Sequence, residues 1–195
     1  VECDNQVFFS NSFRLLLVNG TSLALITDVD ASTGIIHVID DVLIPPTQTI
    51  AAIAIGNPNF SALVAALVKT NLAGVFTGTG NFTVFAPTNE AFARLPQPFN
   101  SAESISGITN PAQIASLSNI LRYHVAGSRF FSWDLGVLQP LTTLANAPEN
   151  NLVTILGLNR AAVKGNENTR FSRATPVNLL ATNGVVHVID QVLLP

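Results

Sequence analysis

Twelve residues of this chain occur twice with little change, as GIIHVIDDVLIP at residues 34–45 and as GVVHVIDQVLLP at residues 184–195. Eight of the twelve positions are identical, and the two copies are 150 residues apart. Three of the four differences exchange one aliphatic residue for another, which is typical of a strand held in a hydrophobic core. The chain therefore contains an internal repeat, and each copy closes a unit of its own.

The two copies close units of very different length, because the first ends near residue 46 and the second follows about 148 residues of further chain. Two shorter segments also match, LLLVNG at residues 15–20 with AAVKG at 161–165, and ITDVDASTG at 26–34 with NLLATNG at 178–184. We therefore predict that residues 1–47 are the C-terminal part of an incomplete domain and that residues 48–195 form a complete one. A fragment of that size buries too little apolar surface to fold alone. We expect it to pair with the second domain, with further chain or with another molecule, which includes self-association.

Composition excludes several classes of protein. The chain has 195 residues, of which 48% are hydrophobic and 11% charged, and this is ample for a packed core. A net charge of −3 provides no basic face for nucleic acid and no polybasic patch for anionic lipid. The apolar run at residues 62–68 is far shorter than the roughly 20 residues that a transmembrane helix requires, so we expect no transmembrane span.

The order of patterns along residues 48–195 predicts an α+β domain, with helices first and strands last. Apolar residues at helical spacing predict a helix from Phe60 to Leu72, with Val68 on its inward face and Gly74 as its stop signal. Phe82 to Phe85 is typical of a short buried strand that Pro87 ends. A second helix begins at Asn110-Pro111 and runs into Tyr123-His124, which we expect to begin a buried strand, and short β-rich runs follow from about residue 141.

Four motifs follow one another in this second unit: FTVFAPTNEAF at residues 82–92, the Tyr123-His124 pair in LRYHV, TLA at 143–145, and ATNGVVHVIDQVLLP at 181–195. Together they resemble the fasciclin-type domain. The first HVID copy resembles the closing segment of another such domain. The chain departs from the family pattern at Asn89, where Asp is more common, and at Ser32-Thr33, where Asn commonly precedes the glycine.

The resemblance implies a β-sandwich-like wedge of short strands with several helices packed on one side. It also implies an extracellular or cell-surface protein, secreted or anchored, that mediates adhesion or matrix contacts, commonly in tandem arrays. In some animal members the Tyr-His pair is implicated in receptor binding, and this role carries over to Tyr123 and His124 only.

The polar residues of the two HVID copies have two interpretations. His187 and Asp190, with His124, could form a metal site or an acid and base pair. However, positions 187 and 190 face opposite sides of a strand, and one cysteine and three histidines are a poor supply of further ligands. The other interpretation is structural, in which His187 satisfies buried backbone groups and Asp190 braces a neighbouring turn, as do their counterparts His37 and Asp40. We favour the structural interpretation and expect no metal and no cofactor.

Five residues are candidates for contact with a partner. Tyr123 and His124 belong either to the core or to a contact site, and the same two interpretations hold for Phe130, Phe131 and Trp133 beside Arg129. No complete catalytic motif is present, so we expect a non-enzymatic module that binds protein or glycan partners at a cell surface or in a matrix. The alternative is a carrier of a small ligand in an apolar pocket between helices and sheet.

Overall fold

The structure is a computed structural model, and it describes residues 7–9, 16–135, 139–145, 151–157 and 160–195. The predicted α+β class is confirmed, because the six α-helices and twelve strands of these residues are grouped in blocks, with all six helices between β4 and β6 and seven strands after them. In the described part of the chain the strands form three four-stranded sheets.

The first sheet belongs to residues before the Pro45-Pro46 linker. Its strands are β1 (Val7–Phe9), β2 (Leu16–Val18), β3 (Ser22–Ala31) and β4 (Gly34–Ile39), each antiparallel to the next. The first HVID copy lies in β4, at one edge of this sheet. The outer edge of β4 therefore has no strand beside it among the described residues.

The helices follow, and most begin at a polar cap. They are α1 (Ile50–Gly56), α2 (Ser61–Lys69), α3 (Ala73–Thr77), α4 (Asn89–Ala93), α5 (Ala102–Ser106) and α6 (Pro111–Tyr123). The Asn110 side chain accepts a hydrogen bond from the N–H of Ala112, and Pro111 occupies the first helical turn, so α6 begins where the sequence predicts.

Two further sheets are formed by the residues after the linker. One contains β5 (Phe82–Pro87), β6 (Val125–Ala126), β11 (Leu179–Ala181) and β12 (Gly184–Ile189), and the other contains β7 (Gln139–Thr142), β8 (Asn151–Gly157), β9 (Arg160–Lys164) and β10 (Ser172–Arg173). The second HVID copy lies in β12, between β11 and a parallel β5. Burial on both faces and both edges explains its continuous apolar sequence.

Two apolar clusters share this central sheet. One packs helices α1 to α6 against residues such as Val84, Val186 and Val188, and the other packs Phe85 and Ile189 against strands β7, β9 and their neighbours. Alternate residues of β5 and β12 point to opposite clusters, as the period of a strand requires.

The predicted helix from Phe60 to Leu72 is corrected at its end. The helix ends at Lys69. Thr70 follows as its cap and donates a hydrogen bond from Oγ1 to the carbonyl of Ala66, and Asn71 then adopts a left-handed φ of 57°. The prediction that Gly74 stops this helix is therefore wrong, because Gly74 lies inside α3. Val68, predicted to face inward, is an exposed residue of α2.

The second boundary correction concerns Tyr123 and His124. We predicted that they begin a strand, whereas Tyr123 is the last residue of α6, His124 caps it, and the strand begins at Val125.

Among the described residues, no single helix is long and apolar enough to cross a membrane, although the sharply bent pair of helices within residues 50–69 meets that test by length and composition.

Candidate functional site

His187 lies at the centre of β12, fully buried, and both of its ring nitrogens are used. The backbone N–H of Asn178 donates to Nδ1 (3.3 Å), so Nε2 carries the hydrogen and donates to the carbonyl of Phe130 (2.9 Å). The ring also stacks on Phe85, with the ring centroids 5.5 Å apart. His187 therefore joins two loops to the central sheet and has no nitrogen left for a ligand.

Asp190 follows β12 and is exposed. Its Oδ1 accepts hydrogen bonds from the N–H of Arg173 (2.8 Å) and from Ser172 Oγ (3.0 Å). The carboxylate thus braces β10 against the end of β12, and its partners differ from those of His187. The structure does not bring His187 and Asp190 together in one cleft.

The first copy of the motif repeats the two hydrogen bonds that backbone N–H groups donate to the histidine and the aspartate. The N–H of Asp28 donates to His37 Nδ1 (3.2 Å), and the N–H of Leu23 donates to Asp40 Oδ1 (2.7 Å). The donors lie 150 residues before Asn178 and Arg173, which are the donors in the second copy. The repeat is therefore a repeat of local structure as well as of sequence.

Burial is where the two copies differ. Ile35 and Ile36 in β4 are 60% and 53% exposed, whereas their counterparts Val185 and Val186 in β12 are 0% and 2% exposed. The other exposed aliphatic residues of this segment are Leu25, Ile26, Val29, Val38, Val42 and Ile44. We call residues 22–44 the open hairpin, because strands β3 and β4 have neither the parallel strand nor the helices that cover β12.

The Tyr123-His124 pair is buried, so neither side chain is available to a partner in this structure. Tyr123 Oη accepts a hydrogen bond from the N–H of Asn166 (3.1 Å). His124 Nε2 accepts from the N–H of Leu193 (2.9 Å), so Nδ1 carries the hydrogen and donates to the carbonyl of Ile120 (2.7 Å). The pair joins the end of α6 to the C-terminal segment, which supports the core interpretation.

Burial also shifts the pKa values of these groups. Desolvation lowers the pKa of both His124 and His187 from 6.5 to about 4, and in each case a hydrogen bond to a backbone carbonyl opposes the shift. Desolvation raises the pKa of Tyr123 and the pKa of Asp134, and in each case a backbone hydrogen bond opposes the shift. Both buried histidines are therefore neutral at physiological pH.

The aromatic cluster divides into buried and exposed members. Phe131 is buried, Phe130 is half-buried, and Trp133 is 43% exposed. Trp133 is therefore the member with the most surface for a partner. Among the described residues, no three His, Cys, Asp or Glu side chains come together in a group that could hold a metal ion.

Three buried asparagines carry much of the polar network, and sequence analysis did not identify them. Asn168 joins Gly165 to residues 192–194, Asn178 joins Ser132 to Gly20, and Asn183 joins Ile50 to Phe76 and Gly78. A faint signal exists for Asn183, since it precedes the glycine of the second copy where Thr33 precedes that of the first.

Comparisons with known proteins agree with this architecture. The family model of the fasciclin domain matches residues 58–195. The chain is similar to a FAS1 domain pair from the insect cell adhesion molecule fasciclin I, with a TM-score of 0.63 and 20% identity, covering 97% of this chain and 66% of that one. At this identity the likeness shows the fold, and the predicted fasciclin-type architecture is confirmed.

Several known proteins are also similar in sequence, and two of them serve as examples. Transforming growth factor-beta-induced protein ig-h3 of Sus scrofa is 34% identical over 167 residues, covering 83% of this chain and 21% of the pig protein. Protein sll1483 of Synechocystis is 34% identical over 150 residues, covering 76% of this chain and 74% of the cyanobacterial protein. The chain thus spans about a fifth of the pig protein. Together the motifs, the fold and these matches show that the chain belongs to the fasciclin domain family.

Proposed function

We propose that this chain is an extracellular or cell-surface interaction module, secreted or anchored, that binds protein or glycan partners and is not an enzyme. Its relatives support this, since the solved structure that it resembles is part of a cell adhesion molecule. The use of His187 and Asp190 in bonds to the backbone supports it further, because the polar residues of the motif are occupied in the scaffold.

The open hairpin is the observation that carries the proposal. Isolated exposed aliphatic residues are ordinary, but this segment exposes eight of them, six on two neighbouring strands and two just after β4. The outer edge of β4 also has free backbone groups, since no strand lies beside it among the described residues. Together these features make a surface that favours association with another polypeptide.

The second domain indicates what kind of partner fits. Its copy of the motif pairs in parallel with β5 over six positions, from Gly184 opposite Phe82 to Ile189 opposite Pro87. The β5 strand of the same chain cannot also cover β4, because β12 and β6 already occupy both of its edges. The strand that pairs with β4 therefore comes from another molecule, and in a second copy of this chain the β4 edge is open in the same way. In a preparation of this chain alone, that partner is a second copy.

Sedimentation velocity over a wide range of concentrations tests this proposal. We expect the chain to self-associate, and we expect Ile36→Lys to shift it to monomer because a charge would be buried at the interface. Val68→Lys is the matched control, since Val68 is equally apolar and is 69% exposed on α2. A wild-type protein that stays monomeric, or two variants that behave alike, would contradict a role for the hairpin.

Binding to cells or matrix tests a second candidate surface, the exposed side of Trp133. We propose that Trp133 contributes to it, because an exposed indole offers a large contact area at low entropic cost. Attachment of cells to a surface coated with the chain should fall on Trp133→Ala and persist on Phe171→Ala, a second exposed aromatic residue. Equal attachment to both variants would exclude Trp133 from the contact.

The alternative of a small-ligand carrier has little structural support between the helices and the central sheet. The cavity there, lined by residues such as Ile50, Phe60 and Val186, has a volume of about 10 Å³. Such a volume is near the minimum for one water molecule, so we do not propose a carrier at this position.

A further inference from the structure

The turn that joins β2 to β3 lies against the second domain. The carbonyl of Gly20 accepts a hydrogen bond from Asn178 Nδ2 (3.0 Å). A Cβ added to Gly20 would lie 2.6 Å from Phe131 Cδ1, so the glycine backbone is in direct contact with the aromatic ring. Asn19 and Gly20 both have left-handed φ values, 55° and 73°. The contact therefore requires a left-handed turn with no side chain at its second residue.

Burial within the first unit is confined to this end. Among residues 17–47, the buried ones are Val18, Gly20 and Ser22, which lie in or beside the turn. The opposite end of the hairpin, around Gly34, is exposed. The turn is thus the anchored part of the first unit.

The surface that receives the turn is held in place by its own hydrogen bonds. We call Phe131, Ser132 and Asn178 the Gly20 seat. The Asn178 side chain accepts from the N–H of Ser132 (2.8 Å) and donates to Ser132 Oγ (2.9 Å), while its remaining amide hydrogen goes to Gly20. Every amide hydrogen of this buried side chain therefore has a partner, which fixes its orientation.

His187 supports the seat from the central sheet. Its two ring nitrogens bond the backbone of Phe130 on one side and of Asn178 on the other. These backbone groups belong to the two loops that supply the seat, so the motif histidine sets their separation. The first copy lacks such a surface, because the residue at the matching position is Asp28.

A comparison of Asp28 with Asn178 shows what the side-chain amide contributes at this position of the repeat. They share the left-handed backbone, with φ of 58° and 59°, and each donates its N–H to the motif histidine. Asparagine supplies the N–H donor that a backbone carbonyl requires, whereas an ionised aspartate only accepts hydrogen bonds. The side-chain amide at this position therefore selects for a carbonyl partner.

We propose that the Gly20 seat is a recognition site for the Asn-Gly turn of the preceding unit, and that it fixes the orientation between two consecutive units. The partner that it fits is a left-handed turn presenting a backbone carbonyl and a bare Cα. This inference goes beyond the proposed function, because it concerns the joint inside the chain and not the surfaces that face other molecules.

NMR spectroscopy of the full chain in its monomeric concentration range tests the joint, with Asn178→Asp as the main variant. This change keeps the shape and the left-handed backbone that Asp28 already adopts, keeps the acceptor for Ser132, and removes the donor to Gly20. We expect the ring-current shift of the Gly20 α-protons to be lost. We also expect residues 22–44 to tumble independently, with a shorter rotational correlation time than the second domain.

Gly20→Ala tests the same joint without altering the second domain, and it decides the question if Asn178→Asp unfolds that domain. It should also release the hairpin, because its methyl group would overlap the Phe131 ring. Gly34→Ala is the matched control, since a Cβ there meets no atom within 4 Å, and it should tumble as the wild type does. If the hairpin keeps the correlation time of a folded second domain in Gly20→Ala, or in a folded Asn178→Asp protein, the inference is wrong.

Discussion

His187 and His37 occupy the same position of the repeat and accept the same backbone hydrogen bond at Nδ1, yet one is buried and the other exposed. The imidazole is therefore part of the local geometry of the motif in both copies. What burial adds in the second copy is the bond from Nε2 to Phe130 and the stack on Phe85. The contribution of the motif histidine to the free energy of unfolding should therefore be much larger for His187 than for His37.

Replacing each histidine by phenylalanine measures that difference. His187→Phe keeps an aromatic ring beside Phe85 but leaves the N–H of Asn178 and the carbonyl of Phe130 without partners. We expect a loss of about 2 to 5 kcal/mol in the free energy of unfolding, since each buried unsatisfied group costs about 1 to 3 kcal/mol. His37→Phe should cost less than about 0.5 kcal/mol because the site is exposed. Urea unfolding of both variants is the measurement, and equal losses would contradict the assigned role.

The two buried histidines also predict how stability depends on pH. In the unfolded chain they bind protons near the ordinary pKa of 6.5, whereas in the folded chain the pKa of His124 and of His187 is about 4. Between these values the unfolded state binds more protons, so the free energy of unfolding falls as the pH is lowered through this window. The loss is at most about 3 kcal/mol for each histidine, is absent above the window, and does not grow further below it.

Urea unfolding at a series of pH values measures this loss, and NMR titration of the folded protein assigns it. Both imidazoles should remain neutral midway between pH 4 and 6.5. If their resonances titrate with a pKa near 6.5 while the protein stays folded, these histidines are not the source of the pH dependence.

At the scale of elements, the last turn residue before the HVID strand is also buried in the second copy and exposed in the first. Asn183, in the turn between β11 and β12, accepts from the N–H of Ile50 at the start of α1 (2.9 Å). It also donates to the carbonyls of Phe76 (2.9 Å) and Gly78 (2.9 Å) at the end of α3. One side chain therefore ties two helices to the central sheet, whereas Thr33 at the matching position of the first copy is exposed.

Alanine substitution at these two turns tests that role. Asn183→Ala removes three hydrogen bonds and leaves backbone groups of two helices unsatisfied, so we expect a loss of about 2 to 4 kcal/mol in the free energy of unfolding. Thr33→Ala should change it by less than about 0.5 kcal/mol. Thermal and urea unfolding provide the values, and a mild effect at Asn183 would mean that α1 and α3 are held chiefly by apolar packing.

Elements with strong local signals could be predicted from sequence, and those decided by distant contacts could not. The start of α6 follows from Asn110 and Pro111, and the strand nature of β12 follows from its apolar run. The end of α2 could not be predicted, because the left-handed backbone of Asn71 ends the helix before Gly74 is reached. The contact between Gly20 and its seat joins residues that are more than a hundred positions apart, and no local pattern predicts such a contact.

At the scale of the whole molecule, one sequence motif exists in two environments. In the second unit the motif strand has a partner on each edge and a core on each face, and in the first unit it lies open. The difference results from what surrounds the motif, because both copies keep the backbone hydrogen bonds to the histidine and to the aspartate. This is why we assign the capacity for association to the first unit and the structural framework to the second.

Hydrogen–deuterium exchange, followed separately in β4 and β12 over a range of protein concentrations, tests this account most directly. In dilute solution the amides of β12 should exchange only through global unfolding, while those of β4 should exchange much faster. Raising the concentration should slow exchange in β4 and leave β12 unchanged. Protection of β4 that equals that of β12 in the monomer, or that does not depend on concentration, would contradict the claim that the open hairpin is an interaction surface.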